Sequence, residues 1–237
     1  KNTSIAGEGT ANEGVNSTRL GLKGEPSLAE HVQIARDLFL LEYTGGKLHI
    51  PTITTGKSVT LIKEAKKKGL QVSCSTSIHH LTLTDDELQG FDSNFKVCPP
   101  LRTQMDVKAL QKGVKSGVID LVTSDHNPID IEYKNVEFSE AKAGVIGLES
   151  AFGALNSVLT LEDFIQNITC KPKAIFGIEN HSIIEKNIAE ITLFNPENEY
   201  TFIKKHILST SKNSPFLNKN LKGKAYGIFS NNQLVIK

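Results

Sequence analysis

Several features that would place this chain of 237 residues in a specialised class are missing. No apolar run approaches the ~20 residues of a membrane-spanning helix, and the residues from Lys1 onward do not resemble a signal peptide. The 27 basic and 26 acidic side chains give a net charge of +1, which favours neither nucleic acid nor a membrane as partner. Cys74, Cys98 and Cys170 lack Cys-x-x-Cys spacing, so we expect no cysteine-rich zinc site and predict a cytoplasmic location.

Helical and strand-like segments alternate after a loop-like, Gly- and Asn-rich start (residues 1–24). This alternation predicts an α/β fold in which the strands are parallel neighbours in chain order. The predicted strands are residues 47–53, 70–75, 95–98 and 118–122. The predicted helices are residues 25–44, 57–68, 105–115, 148–159 and 161–167, with another beginning at 171–176.

The pattern changes at Ile184. Short β-like runs separated by turn residues follow, at residues 190–194, 200–203, 224–229 and 233–236. We therefore predict a partial barrel unit (1–183) and a small β domain (184–237). Because a closed (β/α)8 barrel takes about 250 residues, the first unit is either an open sheet or the second half of such a barrel.

Polar side chains follow several of the predicted strands. Asp125 and His126 come directly after the apolar run 118–122, and His79-His80 follows the strand at 70–75. Asp125 is a candidate metal ligand, a candidate general base, or simply the cap of a turn before Pro128. The two histidines are candidate zinc ligands or a hydrogen-bonded pair in a loop.

Three further residues are candidates for a binding role. Arg102 is a candidate carboxylate clamp or a surface ion pair. Cys98 is a reactive thiol or, as a small apolar residue at a strand end, a buried and inert one. Gly144 either lets the backbone approach a ligand or forms a plain loop-to-helix junction.

Taken together, the ordered motifs resemble dihydroorotase of the long type found among the cyclic amidohydrolases, over nearly the whole chain. Each motif is modest alone, and the order and spacing carry the resemblance. The motifs are Asn12-Glu-Gly14, Arg19-Leu-Gly21, His49 with Thr54-Thr55, His79-His80-Leu81, Pro99-Pro100-Leu101-Arg102, Ser124-Asp125-His126, Ala143-Gly-Val-Ile-Gly-Leu-Glu149, Asn213-Ser-Pro-Phe216 and Leu221-Lys-Gly223.

The resemblance implies the C-terminal half of a (β/α)8 TIM-type barrel, strands five to eight, with a small β-sandwich segment. It implies a zinc-dependent hydrolase that interconverts dihydroorotate and N-carbamoyl-L-aspartate in pyrimidine biosynthesis. His79 would be a metal ligand, and Asp125 both a metal ligand and the catalytic base. Arg102 and Gly144 would lie on the substrate side.

The sequence departs from the family pattern at several site positions. Thr52 stands where the family has a second histidine, Cys98 where it has a substrate-contacting asparagine, and Ile129 where it has the last histidine of Asp-His-Ala-Pro-His. The opening metal motif, a substrate-binding arginine and the strand-four ligand would all lie before Lys1. We expect one zinc or none to be retained.

Two functional classes therefore remain open, beside a third and weaker alternative, a related amidohydrolase that acts on another ring. The first is a dihydroorotase-like enzyme with impaired turnover. The second is a non-catalytic homologue that serves as a structural partner, for example of aspartate transcarbamoylase. The expected partners are the missing N-terminal half or another chain, a small-molecule substrate if the protein is active, and a second copy in a homodimer.

Overall fold

The computed structural model describes residues 1–179 and 183–236. Residues 180–182 and Lys237, which the two predicted domain ranges include, lie outside the described residues. The start of the chain is more ordered than the predicted loop, because the Asn2 side chain caps one short helix and left-handed Gly21 ends another. Its elements are α1 (Thr3–Ala6), β1 (Ala11–Asn12), α2 (Val15–Leu20) and β2 (Gly24–Glu25), with β1 and β2 paired in parallel.

A three-stranded parallel sheet forms the centre of the barrel part. β3 pairs with β4 and β4 with β5, in chain order and all parallel, as the sequence predicts for these strands. The helices begin where expected, because Thr55 and Thr103 cap α4 and α6 with their hydroxyls. The elements are α3 (Leu28–Thr44), β3 (Leu48–Ile50), α4 (Gly56–Lys67), β4 (Val72–Ser77), α5 (Ile78–Thr82), α6 (Gln104–Lys115) and β5 (Leu121–Thr123).

The prediction of a strand at 95–98 is wrong. Residues Ser93–Phe95 form a 3-10 turn, and β4 pairs directly with β5, with Ser75 opposite Leu121. The Lys96 side chain is buried instead, and its ammonium donates to the carbonyls of Phe138 (2.6 Å) and Ser139 (2.8 Å). The segment thus packs against a loop, so the sheet has three strands rather than four within the described residues.

The second half of the chain contains short helices and then an antiparallel sheet. The predicted turn at Asn195-Pro196 is a bulge inside one long strand rather than a break. Residues Gln166–Cys170 form a π-helical turn between two helices. The elements are α7 (Ile131–Lys134), α8 (Ala151–Leu155), α9 (Leu161–Ile165), α10 (Lys171–Phe176), β6 (Ile191–Thr201), β7 (Asn220–Ser230) and β8 (Gln233–Ile236).

The antiparallel sheet β6–β7–β8 is a single layer within the described residues. It joins the barrel part through α8. Gly153 lies so close to β7 that an added Cβ would come within 2.8 Å of the Leu221 side chain. The Asn156 amide donates to the carbonyls of Pro196 (2.8 Å) and Lys222 (2.9 Å). One hydrophobic core therefore runs from the parallel sheet into this region.

Candidate active site

The predicted site residues follow the ends of neighbouring parallel strands. Thr52 comes after β3, His79 lies in α5 directly after β4, and Asp125 comes after β5. Because carboxyl ends of parallel strands meet at one edge of a sheet, these residues lie on the same side of the molecule. Thr52 and Asp125 both have a left-handed backbone, with φ of 49° and 45°. Non-glycine residues seldom adopt this conformation, and functional sites are one place where it concentrates.

The side chain of His79 is fully buried, and its ring has no hydrogen-bond partner among the described residues. Neither ring nitrogen meets a donor or acceptor among the described residues, and the ring stacks on Phe216 at 5.9 Å. Burial, together with the neighbouring His80, lowers the pKa of His79 to about 3, so the ring is neutral at pH 7. The backbone of Asp125 lies beside the ring and opposes this fall in pKa, but its geometry does not amount to a hydrogen bond.

Asp125 is half-buried, and burial raises the pKa of its carboxyl above the ordinary value. The loop that carries it lies against Gly147, where an added Cβ would come within 2.1 Å of the Ser124 carbonyl and 3.2 Å of the His79 ring. Only glycine fits between these two groups. The lack of a side chain at Gly147 therefore allows the His79 and Asp125 segments to lie close together. The sequence motif alone does not indicate this role.

His126 is a structural link rather than a free base. Its Nδ1 accepts from the backbone N–H groups of Gly147 (3.3 Å) and Leu148 (3.2 Å). Its Nε2 therefore carries the proton and donates to the Ser209 hydroxyl at 3.0 Å. The Glu149 carboxylate lies 3.8 Å from Nδ1, which is already occupied, so Ser209, His126 and Glu149 do not form a nucleophilic triad.

Glu149 holds the segment around Ser209 in place. One carboxylate oxygen accepts from the N–H groups of Leu208 (3.1 Å) and Ser209 (2.8 Å). Burial opposes ionisation of Glu149, but these hydrogen bonds and nearby His126 outweigh it and hold the pKa below its usual value.

Arg102 is buried in a hydrogen-bonded network. Its guanidinium donates to Thr54 Oγ (3.1 Å), Asn12 Oδ1 (2.9 Å) and the Glu25 carbonyl (3.0 Å), and it pairs with the Glu25 carboxylate at 3.5 Å. Glu25 also pairs with Lys1. The surface ion pair considered from the sequence is therefore wrong, since Arg102 is 2% exposed. Its predicted contact with substrate stays a prediction.

Gly144 has φ of +133°, and an added Cβ would come within 2.5 Å of the Asn127 amide, so no other residue fits. Its N–H donates to the backbone carbonyl of Lys96 (2.9 Å). Its own carbonyl accepts from the side chains of Asn213 (3.0 Å) and Lys134 (3.1 Å). The polar groups of Gly144 are thus already used within the protein, and its role toward substrate also stays a prediction.

The three substituted positions line two cavities. Thr52 and Cys98 lie with His49 along a cavity of about 480 Å³ at the open edge of β3. Cys98 is exposed, so the expectation of a buried, inert thiol is wrong. Ile129 lies in a separate cavity of about 580 Å³ beside Asn213. His49 is held by the Ser73 hydroxyl (2.8 Å), and burial lowers its pKa.

The described residues do not make up a metal site by themselves. No group of three or more His, Cys, Asp or Glu side chains is placed to hold an ion within residues 1–179 and 183–236. The unpartnered nitrogens of His79 suit a metal ion. Thr52, where the family resemblance implies an imidazole, has only a hydroxyl, which is a poor ligand for zinc. Among the described residues, no helix is long and apolar enough to cross a membrane.

Comparisons with solved structures define the class of fold. An L-hydantoinase (dihydropyrimidinase) from Arthrobacter aurescens superposes with a TM-score of 0.84 at 23% identity, covering 91% of this chain and 50% of that one. An inactive dihydroorotase-like domain of a multifunctional protein from Chaetomium thermophilum gives 0.64 at 21%, covering 86% and 57%. The chain therefore has the fold of part of a TIM-barrel amidohydrolase.

Sequence comparisons identify curated relatives of the chain. No family model matches the chain. A dihydroorotase of Trichlorobacter lovleyi is 40% identical over 226 residues, which are 93% of this chain and 53% of the relative. One from Endomicrobium trichonymphae is 42% identical over 228 residues, which are 93% and 54%. The chain is a homologue of the dihydroorotases, and it spans about half the length of the curated relatives it matches.

Proposed function

We propose that this chain is the C-terminal half of a dihydroorotase-like amidohydrolase that opens the ring of dihydroorotate to N-carbamoyl-L-aspartate. The observation that supports this proposal is identity of about 40% with proteins named dihydroorotase over 93% of the chain. Because the chain spans about half of these relatives, its first partner in the proposal is the N-terminal half of the barrel, on the same chain or on another.

In this proposal Asp125 moves the proton. Hydrolysis of a cyclic amide needs a group that accepts a proton from attacking water and returns it to the leaving nitrogen. Asp125 lies at a strand end, and burial raises its pKa toward the range where a carboxyl group does both. His79 remains the proposed metal ligand, because its ring is neutral and its nitrogens are unpartnered.

Arg102 and Gly144 act here as positioning residues. Arg102 holds the N-terminal segment against the β3–α4 loop through Asn12, Glu25 and Thr54. Gly144 anchors the loop after β5 through Lys134 and Asn213. Because the polar groups of Arg102 and Gly144 already form hydrogen bonds within the protein, we propose that both residues position loops around the substrate.

The zinc that the family resemblance implies does not fit the described residues alone, so we derive no step through a metal. A complete site in this proposal needs ligands from the N-terminal half. With Thr52 in place of a histidine, we expect at most one tightly bound zinc and slow turnover.

A second candidate function is a non-catalytic homologue that stabilises a partner enzyme. Thr52, Cys98 and Ile129 favour it, because all three stand where the family has metal- or substrate-binding residues. The neighbour from Chaetomium thermophilum is itself an inactive dihydroorotase-like domain. Under this alternative the fold is kept and the chemistry is lost.

The test uses the full-length protein, with ring opening of dihydroorotate and metal content measured on the same preparation. The triple variant Thr52→His, Cys98→Asn, Ile129→His should raise both quantities, whereas Asp125→Asn should lower kcat about 10²–10⁴-fold. Thr60→His, at an exposed position on α4, controls for adventitious zinc binding.

Each result decides between the two functions. Slow turnover that depends on Asp125 supports the impaired enzyme. No turnover in the wild type and in the triple variant overturns it and leaves the structural partner. Two bound metals with ordinary turnover in the wild type would show that the three substitutions matter less than we propose.

A further inference from the structure

The backbone of Asp125 needs support from its surroundings. Its φ of 45° lies in the left-handed region, where the side chain of a non-glycine residue crowds the backbone. Such a conformation costs free energy and persists only where the surrounding structure fixes it. The contacts on either side of Asp125 therefore decide whether this conformation is kept.

The chain is anchored both before and after Asp125. Before it, Thr123 is paired with β4 as the last residue of β5. After it, His126 forms a parallel bridge with Val145. The Asn127 N–H also donates to the Val145 carbonyl at 2.8 Å. The strained residue thus lies between two fixed points, one in the sheet and one in the loop that follows.

A segment some 80 positions further along the chain holds this loop from another side. Ser209, Ser211 and Asn213 occupy alternate positions, and we call them the polar clamp. The Ser209 hydroxyl accepts from His126 Nε2 at 3.0 Å. The Ser211 hydroxyl donates to the Ile129 carbonyl at 2.5 Å. Asn213 Oδ1 accepts from the Ile129 N–H at 3.4 Å.

The polar clamp also reaches the second segment that holds His126. Asn213 Nδ2 donates to the Gly144 carbonyl at 3.0 Å. The backbone carbonyl of Asn213 accepts from the Ile146 N–H at 3.0 Å. The other nitrogen of the His126 ring accepts from the N–H groups of residues 147–148. Three segments that are distant in sequence therefore meet around the loop after β5.

The residues between the clamp members point elsewhere. Thr210 and Lys212 are exposed, whereas Asn213 is buried. The clamp segment is itself fixed, because the Glu149 carboxylate accepts from the Ser209 N–H at 2.8 Å. One side of the segment thus carries the polar groups that bind the loop, and it carries them in a fixed place.

We propose that the polar clamp holds Asp125 in its left-handed conformation, and that Ser209 is a positioning residue for this carboxylate, acting through His126. The inference rests on the proposed function, in which Asp125 moves the proton. The hydrogen bonds of the clamp go to the loop backbone and to the His126 ring. Loosening them therefore displaces Asp125 without removing a reacting group, which lowers kcat more than it weakens substrate binding.

The first experiment measures kcat and KM for ring opening of dihydroorotate by the full-length protein. Ser209→Ala should lower kcat about 3- to 10-fold, the factor expected for one hydrogen bond, and leave KM within about twofold. Ser209→Thr keeps the hydroxyl and should restore kcat. Thr210→Ala removes the exposed hydroxyl next to it and is the matched control. An unchanged kcat in Ser209→Ala, or an equal loss in Ser209→Thr or Thr210→Ala, overturns the positioning role.

The second experiment does not require turnover. It measures hydrogen exchange of the full-length protein at single amides, by mass spectrometry with electron-transfer fragmentation. In Ser209→Ala, the amides of residues 147–148 should exchange at least about 3-fold faster, because the His126 ring that accepts from them is less firmly held. The Ile53 amide, which donates to the Ser75 carbonyl at 2.9 Å beside the sheet, should keep its rate.

The two experiments keep the clamp and the proposed function apart. If the wild type does not open dihydroorotate, the proposed function fails and the positioning role fails with it, while exchange still decides the clamp. Faster exchange at residues 147–148 with an unchanged rate at Ile53 supports the clamp. Unchanged exchange at residues 147–148, or an equal rise at Ile53, overturns it.

Discussion

Two buried polar centres at the same side of the molecule differ in one respect. Around Arg102, the guanidinium meets Thr54, Asn12 and Glu25. Around His79, both ring nitrogens lack a partner among the described residues. Both side chains are almost fully buried, at 2% and 0% exposure. The Arg102 guanidinium is thus hydrogen-bonded within the protein, whereas the His79 nitrogens would gain partners only from a bound ligand.

The difference separates structure from function. A buried polar group costs roughly 1–3 kcal/mol when it is left unpaired, so a buried ring with two unpaired nitrogens needs an explanation. The Arg102 centre explains how the N-terminal segment is held on the sheet. The His79 centre is where a ligand would recover hydrogen bonding or coordination, which is why the proposed chemistry lies there.

The largest expected effect comes from removing the guanidinium of Arg102 from its hydrogen-bonded centre. Arg102→Met leaves the Glu25 carboxylate and the Asn12 amide buried without the guanidinium. We expect the free energy of unfolding of the full-length protein to fall by about 3 kcal/mol, measured by equilibrium urea denaturation. Arg36→Met, which removes an exposed ion pair, should change it by less than about 0.5 kcal/mol. Equal losses in the two variants would contradict the comparison.

An intermediate effect is expected at Lys134, which is buried and donates to two backbone carbonyls. Within residues 1–179 and 183–236 its ammonium forms no ion pair with a carboxylate. Burial, and then the charge of Lys96, lower the pKa of Lys134 to about 8 from 10.5. Between these values the unfolded chain binds a proton that the folded chain does not. The free energy of unfolding should therefore rise with pH from about 8 to 10.5, by on the order of 1–3 kcal/mol.

Denaturation of the full-length protein across that pH range checks this prediction. Lys134→Met should remove the rise relative to the wild type. Lys142→Met, at an exposed position in the same loop, is the matched control. A wild-type curve that is flat, or one that falls, would show that the charge of Lys134 is compensated in the folded protein.

The smallest effect is expected at His79. In metal-free protein, His79→Leu removes two unpartnered nitrogens but also the stacking of the ring on Phe216. Because the gain and the loss offset each other, the free energy of unfolding should change by less than about 1 kcal/mol. The neighbouring His80 is bonded to the Ser77 hydroxyl (2.8 Å) and the Pro99 carbonyl (3.0 Å). His80→Leu should therefore lose about 1–3 kcal/mol. Equal destabilisation of the two variants would indicate that the His79 ring is also hydrogen-bonded in the folded protein.

The order of the parallel strands and the half-barrel fold could be predicted from the sequence, because helical and strand periodicities alternate and the motifs keep their spacing. The segment 95–98 could not. Its apolar residues suggest a strand, but burial of the Lys96 ammonium against two backbone carbonyls requires tertiary partners that no local pattern reveals. The prediction of a turn at Asn195-Pro196 is wrong for a similar reason. The long pairing of β6 with β7 continues past these residues, which form a bulge within the strand.

The residue types of the candidate site could be predicted from the sequence, but the interactions of these residues could not. Asp125 and His79 follow strand ends, which a sequence indicates. That Arg102 faces inward to Glu25, or that His126 is bonded to Ser209, depends on contacts across 77 and 83 positions of the chain. Such distant pairings leave no periodic signal, so they emerge only from the folded structure.

The open side of β3 also matters for how the protein avoids aggregation. This strand is three residues long, and no described residue pairs with the edge opposite β4. A bare edge is a template onto which other chains add strands and grow toward fibrils. Here Lys47 places a charge at one end, and Pro51, which lacks an N–H, closes the other. These two residues limit indiscriminate strand addition, and under the proposed function they leave the edge available to the N-terminal half of the barrel.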